Sequence, residues 1–581
     1  MRFNRQIEKK EAQMARMTGG EAVVRSLSAH SVSIVFGIPG AHNLAIYDAL
    51  VDVADIKHVV ARHEQGAAFM ADGYARVSGL AGICICTTGP AALNTLASLG
   101  TALSDSSPVL CIASQIPAAG IGLNKGYLHE CSDQLSCFRP VTKWSGRANT
   151  VSSIPSVIKE AFKRMLSGRP GPVAVEIPCD VLDASENVEI PEPTVVTRPK
   201  PDFEHLRQAA QLIAKAQRPV IWAGGGVIVS QASDSLSKLA ELIQAPVFTT
   251  VLGKGAISDE HPLAAGSAIL HPVSCEYLFG KSVSGSTETL ETKEFFSGCD
   301  VMIAVGTRFT EEETDRWNLR LPNSLIHIDI DSNEINRNYP ATVGIVGDAR
   351  QSLQELNKFL GSMSLQNSSN RVEEVSELRK LVLRDCCQLA PTGVELVTRL
   401  RAALPRETII VSDLTIGAYW CRRLLDLYQP RTYVYPWGFC TLGFGVPAAI
   451  GAKLAQPSQP VVLLSGDGGF LFNCQELAVA IQFNVPIVVL LFNDNAYGVL
   501  KPQQEVRYGR TSAVDLVNPD FMTLARAFGV DGQRVESIDQ LGLAVATAIA
   551  SNKTTIIEVP LSLPLPVMEP APRLLHQMGS Q

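Results

Sequence analysis

Two short apolar runs near the end of the chain restrict its fold more than any other feature. Val461–Leu464 is typical of a buried strand that breaks at Gly466-Asp467-Gly468, and Ile487–Phe492 is typical of a second buried strand that ends at Asn493-Asp494-Asn495. Between them, Asn473 and Glu476 have the spacing of a capping box, which predicts a helix with an apolar stripe of Cys474, Leu477, Ala478 and Ile481. The pattern predicts neighbouring parallel strands, with ligands bound at their carboxyl edge.

The residues at that edge indicate a metal and a diphosphate. Asp467 and Asp494 follow strands that can be neighbours, so their carboxylates can converge. A small number of hard oxygen ligands suits Mg²⁺, which keeps waters and bridges to phosphate oxygens. The glycines allow the backbone to approach a diphosphate, and a helix start supplies free N–H groups. Gly-Asp-Gly alone is usually a simple turn, but together with Asn493–Asn495 it predicts a magnesium–diphosphate site.

The same alternation of strands and helices recurs along the whole chain of 581 residues. It predicts an α/β protein with three tandem doubly wound parallel-sheet domains. Proline-rich and serine-rich linkers separate them. The predicted order is an extension (1–16), a first domain (17–188), a middle domain (202–360), a third domain (372–562) and a tail (563–581). The segment Lys281–Thr292 is predicted to be a polar loop.

Composition excludes several other classes of protein. The formal net charge of −7 and the lack of a basic face argue against nucleic acid as a partner. No apolar run reaches membrane-spanning length, and no secretory segment is present. The 13 cysteines lack zinc-site spacing, so they predict reduced thiols in a cytoplasmic protein.

A carboxylate in the first domain is a candidate for acid–base chemistry. Glu64 lies where the apolar run Val59-Val60-Ala61 turns into a helix with small residues. Burial there is expected to raise its pKa and to keep it available for a hydrogen bond. The residues alone leave open a plain alternative, a glutamate favoured at a helix start by the helix dipole.

Three segments then resemble one family. His63–Arg76 resembles the motif around the activating glutamate in the acetolactate-synthase-like branch of thiamine diphosphate enzymes. Thr88–Asn94 resembles the pyrimidine-binding turn of that branch, with Ala91 and Ala92 where Gly and Ala are usual, and Gly443–Gly451 also matches. The resemblance covers Thr18 to about Pro560. It implies a pyrimidine-binding domain, a middle domain and a diphosphate-binding domain, in that order.

The resemblance also implies roles for single residues. Glu64 would activate the cofactor through its aminopyrimidine ring, and Mg²⁺ would be held by Asp467, Asp494 and the main-chain carbonyl of Ala496. The family more often has Asn at the position of Asp494. Residues implied to contact thiamine diphosphate are Pro90, Asn94, Cys440, Leu442, Gly466, Asp467, Gly468, Gly469, Asn493 and Tyr497.

The choice of branch depends on the substrate side. Gln503 stands where acetolactate synthases carry a tryptophan, and their FAD-contacting run is missing around Gly266–His271, so structural FAD is doubtful although Gly224–Gly226 and Arg308 remain. Tyr127–Glu130 with Asp133-Gln134 is closer to the 5-guanidino-2-oxopentanoate decarboxylase branch. This predicts His42, His129 and Gln115 as catalytic candidates for substrate contact and proton transfer. A lone histidine is also a common structural residue.

The predicted function is thiamine diphosphate- and Mg²⁺-dependent decarboxylation of a 2-oxo acid. The remaining fragment is protonated to an aldehyde or transferred to a second carbonyl. The alternative within the family is an acetolactate-synthase-type carboligase that joins two 2-oxo acids, with aromatic 2-oxo acids among the candidates. The other classes are a non-catalytic scaffold and an FAD or NAD oxidoreductase that uses Gly224–Gly226. The family implies a homodimer or homotetramer with active sites at the subunit interface.

Overall fold

The computed structural model describes residues 14–268, 274, 298–366 and 369–566. Most of the predicted extension, the Lys281–Thr292 loop and most of the predicted tail lie outside these residues. The chain divides into two compact units. One unit runs to Ala75 and continues over Leu80–Thr197, and the other comprises Arg76–Gly79 and the chain from Arg198.

The first unit is built on a six-stranded parallel sheet in the order β3-β2-β4-β5-β7-β6. Strand β1 pairs antiparallel with β8, so it includes the last two residues of the segment that was predicted to be an extension. The strands are β1 (Ala15–Thr18), β2 (Ile34–Gly37), β3 (Lys57–Val60), β4 (Gly82–Cys86), β5 (Val109–Gln115), β6 (Trp144–Arg147), β7 (Val173–Pro178) and β8 (Ser185–Val188). The helices are α1 (Gly19–Ala29), α2 (Leu44–Val51), α3 (Glu64–Ser78), α4 (Pro90–Asn94), α5 (Leu96–Ser104), α6 (Gln134–Phe138), α7 (Ile154–Leu166) and α8 (Cys179–Asp183).

Local chemistry explains where these elements begin. Thr18 caps α1, since its hydroxyl accepts the N–H of Glu21 at 3.1 Å and the Glu21 carboxylate accepts the N–H of Thr18 at 2.7 Å. Strands β4, β5 and β7 are buried along their whole length, as expected for a parallel sheet covered by helices. Apolar side chains of α1, α2 and α7 complete that core.

The middle domain has a second six-stranded parallel sheet, in the order β11-β10-β9-β12-β13-β14. Its strands are β9 (Pro219–Ala223), β10 (Val247–Thr249), β11 (Ala264–Ser267), β12 (Val301–Val305), β13 (Ser324–Asp329) and β14 (Val343–Val346). Its helices are α9 (Phe203–Lys215), α10 (Gly225–Val229), α11 (Ser233–Ile243) and α12 (Ala349–Gly361). The predicted linker after Gly361 lies between α12 and the first helix of the next domain.

The third sheet is also parallel and six-stranded, in the order β16-β15-β17-β18-β20-β19. Its strands are β15 (Ile409–Ser412), β16 (Tyr433–Val434), β17 (Val461–Gly466), β18 (Val488–Phe492), β19 (Asp531–Arg534) and β20 (Thr555–Val559). Its helices are α13 (Val372–Leu389), α14 (Pro391–Ala403), α15 (Ile416–Leu424), α16 (Gly445–Ala455), α17 (Asp467–Asn473), α18 (Leu477–Gln482), α19 (Leu500–Tyr508), α20 (Phe521–Phe528) and α21 (Ile538–Ser551). The three parallel sheets confirm the predicted fold class.

The helix predicted from Asn473 was wrong in its start and its face. The first helix, α17, begins at Asp467 directly after β17, and Asn473 is its last residue. A 3₁₀ turn, Cys474–Glu476, separates it from α18, and the side chain of Asn473 makes no capping hydrogen bond there. Ile481 is 39% exposed, so it does not belong to a buried stripe. The helix start at Asp467 was missed because its capping residue, Gly466, has no side chain to mark it in the sequence.

Two further expectations bear on location. Among the described residues, no helix is both long and apolar enough to cross a membrane. The cysteines in that part of the chain are all free thiols. A cytoplasmic location stays a prediction.

Candidate active site

The strand-end residues of the third sheet meet at one edge. Strands β17 and β18 are neighbours with Gly466 opposite Phe492, so Asp467 and Asp494 follow the same end of adjacent strands. Burial, together with the Asp467 carboxylate, raises the pKa of Asp494 to about 6. The backbone of Ala496 lies close enough to both carboxylates to lower the pKa of each, which partly offsets the effect of burial. Two acids held this closely form a site that favours a cation.

A third segment supplies a residue that the sequence did not reveal. The Asn518 amide nitrogen donates to Asp467 Oδ2 at 2.6 Å and lies 3.1 Å from Asn493 Oδ1 and 3.3 Å from Asn495 Oδ1. One nitrogen therefore lies among three oxygen acceptors, although an amide has only two hydrogens to donate. Asn518 lies far along the chain from Asp467, and nothing in its local pattern marks it.

A cavity opens beside these groups. Eight of the predicted residues line it: Leu442, Gly466, Asp467, Gly468, Gly469, Asp494, Ala496 and Tyr497. A Cβ on Gly498 would lie 2.1 Å from Asp494 Oδ2, so a side chain there would displace this carboxylate. A Cβ on Gly468 would lie 2.8 Å from the Tyr497 ring. The glycines therefore let the backbone and the acids face one space.

Two predicted cofactor contacts of the third domain, Asn493 and Cys440, lie outside the cavity lining. Asn493 donates through Nδ2 to Glu558 Oε1 at 2.7 Å, so its side chain braces the strand ends. Cys440 is exposed, and its Sγ donates to the Trp437 carbonyl at 2.9 Å. Its φ of +49° is unusual for a residue other than glycine.

A buried carboxylate, Asp413, holds a turn beside the cavity, and the sequence did not reveal this role either. Asp413 Oδ2 accepts the N–H groups of Gly443 and Gly445, both at 3.1 Å, and Oδ1 accepts the N–H of Leu414 at 2.8 Å. Burial raises the pKa of Asp413 to about 6. The contact fixes the turn that carries Leu442.

In the first unit, Glu64 is the first residue of α3 and is only half-buried. Asn94 Nδ2 donates to Glu64 Oε2 at 2.9 Å, which brings together two of the predicted residues. Pro90 begins the short helix α4 that ends at Asn94, and its side chain is exposed. The full burial expected for Glu64 is therefore not present within the unit itself.

The two candidate histidines lie together. The rings of His42 and His129 are 5.5 Å apart between centroids. Within the described chain, the Nδ1 atoms of both are buried without a hydrogen-bond partner. Burial lowers the pKa of His42, and the His129 ring lowers it further. A Cβ on Gly89, whose φ is +62°, would lie 2.3 Å from the His129 carbonyl, so this turn and the histidine loop are in contact.

Gln115 has a different environment from the one predicted. It is 1% exposed, and its Oε1 accepts from the Thr88 hydroxyl at 3.0 Å and from the Ile116 N–H at 2.8 Å. Its Nε2 donates to buried Glu176 at 3.1 Å. These bonds use its amide inside the domain and support the Thr88–Gly89 turn. Its role as a substrate contact stays a prediction.

Comparison with known proteins gives a consistent result. Models of the thiamine pyrophosphate enzyme N-terminal TPP binding domain, central domain and C-terminal TPP binding domain match residues 17–137, 206–356 and 415–559. The chain is 38% identical to a probable acetolactate synthase large subunit of Methanocaldococcus jannaschii, over 96% of this chain and 95% of that protein. The chain belongs to the thiamine pyrophosphate enzyme family. The family predicted from the three motifs is thereby confirmed.

Other relatives represent both predicted branches of this thiamine pyrophosphate enzyme family. The chain is 37% identical to a probable 2-ketoarginine decarboxylase of Pseudomonas aeruginosa, over 94% of each protein. It is 34% identical to the acetolactate synthase isozyme 2 large subunit of Escherichia coli, over 94% of this chain and 95% of that protein. Thiamine diphosphate (thiamine pyrophosphate) is thus the cofactor of the family.

The donor set of the third-sheet edge fits this cofactor. Within the described ranges, no group of three or more His, Cys, Asp or Glu side chains forms a metal site. Asp467 and Asp494 alone provide the charged oxygens, and Mg²⁺ typically takes one or two carboxylates and completes its shell with water and phosphate oxygens. An edge with two close acids and an open glycine-lined cavity is therefore suited to a Mg²⁺–diphosphate group.

Proposed function

We propose that this thiamine diphosphate enzyme uses Mg²⁺ to decarboxylate a 2-oxo acid and then protonates the remaining fragment to an aldehyde or transfers it to a second carbonyl. The observation that carries the proposal is the pair His42 and His129, with buried Nδ1 atoms that lack partners in the described chain. Such a pair is suited to hold a carboxylate and to deliver a proton.

When bound, thiamine diphosphate supplies a carbon nucleophile that accepts the electron pair left by departing CO₂. Asp467, Asp494 and the Ala496 carbonyl would hold Mg²⁺, which carries the diphosphate. Glu64, steadied by Asn94, would share a hydrogen bond with the aminopyrimidine ring. Burial and the His129 ring lower the pKa of His42, so its imidazole can accept and return a proton near pH 7.

The alternative is an acetolactate-synthase-type carboligase, which is favoured by the names of two of the relatives above. The two reactions share all steps up to the loss of CO₂ and differ in what the reactive fragment meets next. Gln503, on α19, is exposed on the helix that follows the Asp494 loop. A flexible polar side chain there leaves more space for an acceptor than a tryptophan would.

Product analysis separates these alternatives. The holoenzyme is fed a panel of 2-oxo acids, including pyruvate, phenylpyruvate and 5-guanidino-2-oxopentanoate, and CO₂ and carbonyl products are measured. A decarboxylase yields one aldehyde for each CO₂, whereas a carboligase consumes two carbonyl compounds for each CO₂. CO₂ release from none of the acids, or release that does not depend on thiamine diphosphate, would contradict the proposal.

We also infer a homodimer or a homotetramer that completes each site with two subunits. Exposed apolar side chains lie next to the predicted cofactor residues in each unit: Leu93 and Leu128 in the first, Phe439 and Phe472 in the second. Exposed apolar surface of this kind marks protein contacts.

Complementation tests this arrangement. Inactive Glu64→Gln and Asp467→Ala proteins are mixed under conditions that exchange subunits, and exchange is verified by native mass spectrometry. One of the two sites in each heterodimer then contains only unmutated residues, so activity returns. Exchange without recovered activity would indicate that each site is built within one chain.

A further inference from the structure

A buried glutamine, Gln134, contacts the turn that begins the predicted pyrimidine-binding segment. Its side chain is fully buried. Its Oε1 accepts the N–H of Gly89 at 2.7 Å and the hydroxyl of Thr88 at 2.9 Å. Its Nε2 donates to the Ser114 carbonyl at 3.0 Å and to Glu176 Oε2 at 2.9 Å. These four hydrogen bonds use every donor and acceptor of the amide.

The orientation of this amide follows from its neighbours. The N–H of Gly89 can only donate, so the amide oxygen must face it. The carbonyl of Ser114 can only accept, so the amide nitrogen must face that side. No other side chain of similar length offers both an acceptor for the turn and a donor for β5.

Glu176, on β7, holds the nitrogen end of the amide. Its carboxylate is fully buried, and its Oε1 accepts from Arg147 Nε. Its Oε2 accepts from Gln134 Nε2 and, at 3.1 Å, from Gln115 Nε2. A buried carboxylate with several partners is costly to disturb. The network therefore ties the Thr88–Gly89 turn to a fixed charge within the sheet.

This turn touches both predicted parts of the site in the first unit. On the cofactor side, Gly89 precedes α4, and Asn94 at the end of α4 donates to Glu64 Oε2 at 2.9 Å. On the substrate side, a Cβ on Gly89 would lie 2.3 Å from the His129 carbonyl oxygen. Gln134 itself follows His129 by five positions, at the start of α6. A shift of Gly89 would therefore displace Asn94 and His129 together.

We propose that Gln134 is a positioning residue, which holds Glu64 and His129 in place through the Thr88–Gly89 turn. Its amide has no donor or acceptor left for a substrate, so it acts through the turn and not on the reacting atoms. Its effect on turnover rests on the proposed function. Its effect on cofactor affinity rests on the family alone, since residues 17–137 match the N-terminal TPP binding domain.

Gln134→Met, which has a similar length but no amide, tests this role in the full-length protein. The buried N–H of Gly89 loses its acceptor, so the turn should shift. We expect thiamine diphosphate, titrated with Mg²⁺ into the cofactor-free protein in a calorimeter, to bind at least about tenfold more weakly. Turnover at saturating cofactor should also fall at least about tenfold, because the reacting groups are misplaced.

Asn357→Leu is the matched control, because it removes a buried amide of the middle domain that donates to the Ser235 carbonyl at 2.9 Å. This variant should lose stability but keep the wild-type affinity and turnover. All measurements are made well below the melting temperature of each variant, and circular dichroism verifies the fold. If Gln134→Met does not fold, Gln134→Asn replaces it, since its amide is one carbon too short to reach all four partners.

A charge exchange tests the contact with Glu176. Gln134→Glu places a second carboxylate against Glu176 and should weaken both affinity and turnover. Adding Glu176→Gln restores a donor and an acceptor between the two positions and keeps an oxygen that faces Gly89. We expect the double variant to recover at least about threefold in both measurements relative to Gln134→Glu.

The proposal is overturned if folded Gln134→Met keeps the wild-type affinity and turnover, even at lower stability, because the amide then serves packing alone. It is also overturned if the double variant is no better than Gln134→Glu. A wild type that binds thiamine diphosphate but releases CO₂ from no 2-oxo acid would contradict the proposed function instead. The affinities of the variants would then decide the role of Gln134.

Discussion

The middle and third domains use glycine differently at the same point of the same fold. Each has six parallel strands, and in each a strand runs into glycines where a helix begins, at Gly224 after β9 and at Gly466 within β17. In the middle domain, a Cβ on Gly224 would lie 2.1 Å from the Gly306 carbonyl oxygen, and one on Gly226 would lie 2.6 Å from Gly306 Cα. In the third domain, the glycines border an open cavity with Asp467.

Glycines at a strand end therefore indicate that another group lies close to the backbone, but they do not show whether that group is protein or ligand. In the middle domain the approaching group is the chain's own backbone, which accounts for Gly224–Gly226 without a dinucleotide. In the third domain the neighbouring strand contributes a second acid, Asp494, and the space between remains open. The acid on the adjacent strand is the feature that separates a ligand edge from a packed edge.

The largest effect is expected from Asp467→Ala. In the proposed site few protein oxygens would hold the metal, so loss of one should release Mg²⁺ and thiamine diphosphate together and abolish activity. The purified variant is analysed for bound cofactor by mass spectrometry after denaturation. Asp331→Ala is the matched control, since Asp331 lies just beyond β13 at the edge of the middle sheet. If Asp467→Ala kept the cofactor at the wild-type level, the edge of the third sheet would not be the cofactor site and would not differ in this respect from the edge of the middle sheet.

The edge of the first sheet provides the next test. Glu64→Gln should keep the fold and lower turnover about 10²–10⁴-fold, because an amide cannot replace the carboxylate in proton transfer. Turnover is measured at saturating thiamine diphosphate and Mg²⁺. Glu21→Gln, another glutamate in the first turn of a helix, should leave turnover unchanged. If both variants had near wild-type turnover, Glu64 would be only a helix-start residue.

The sequence predicts those features of these edges that depend on neighbouring residues, but not those that depend on hydrogen bonds between residues far apart in the chain. Strand positions follow from local apolar runs: the predicted run Val461–Leu464 lies within β17, and the predicted run Ile487–Phe492 begins one residue before β18. Asp467 and Asp494 could be paired because parallel strands share a carboxyl edge. Gln115 could not be interpreted, because its partner Glu176 is 61 positions away. Local patterns carry no information about such tertiary hydrogen bonds.

The same limit applies to Asp413 and Asn518. Asp413 supports a turn about 30 residues later in the chain, through hydrogen bonds to Gly443 and Gly445. Asn518 reaches back 51 positions to Asp467. Neither residue has a spacing that predicts its partner. The sequence thus predicts the acids that face the cavity but not the side chains that hold them in place.

A buried carboxylate in the middle domain and one in the third domain have raised pKa values of about 7 and about 6, so the pH dependence of stability can test each of them. In the middle domain, burial raises the pKa of Glu313 to about 7. A carboxyl whose pKa is raised on folding contributes stability that is complete below its unfolded pKa and is lost as the pH rises through the folded value. Relative to the wild type, Glu313→Gln should therefore gain about 2–3 kcal/mol of unfolding free energy between pH 5 and pH 8.

This difference is measured on the cofactor-free protein by urea denaturation of wild type and variant at each pH. The comparison between the two proteins cancels the titration of all other groups. Asp413→Asn offers the counterpart in the third domain, with a transition nearer pH 6. A pH-independent difference between wild type and Glu313→Gln would mean that Glu313 ionises as it does in water.

The smallest expected effect, about 1–3 kcal/mol of unfolding free energy, separates the two kinds of glycine directly. Gly226→Ala places a methyl group against the Gly306 backbone, which cannot move without shifting the loop after β12, so this variant should lose stability. Gly468→Ala meets the Tyr497 side chain at 2.8 Å, and a ring can turn aside into the cavity. It should therefore keep its stability and lose affinity for thiamine diphosphate. Thermal melting without cofactor and cofactor titration with Mg²⁺ measure the two effects separately. Two results would contradict this comparison: loss of cofactor affinity at unchanged stability in Gly226→Ala, or loss of stability alone in Gly468→Ala. Either result would mean that the middle-domain glycines do not serve backbone packing, or that the third-domain glycines do not serve ligand access.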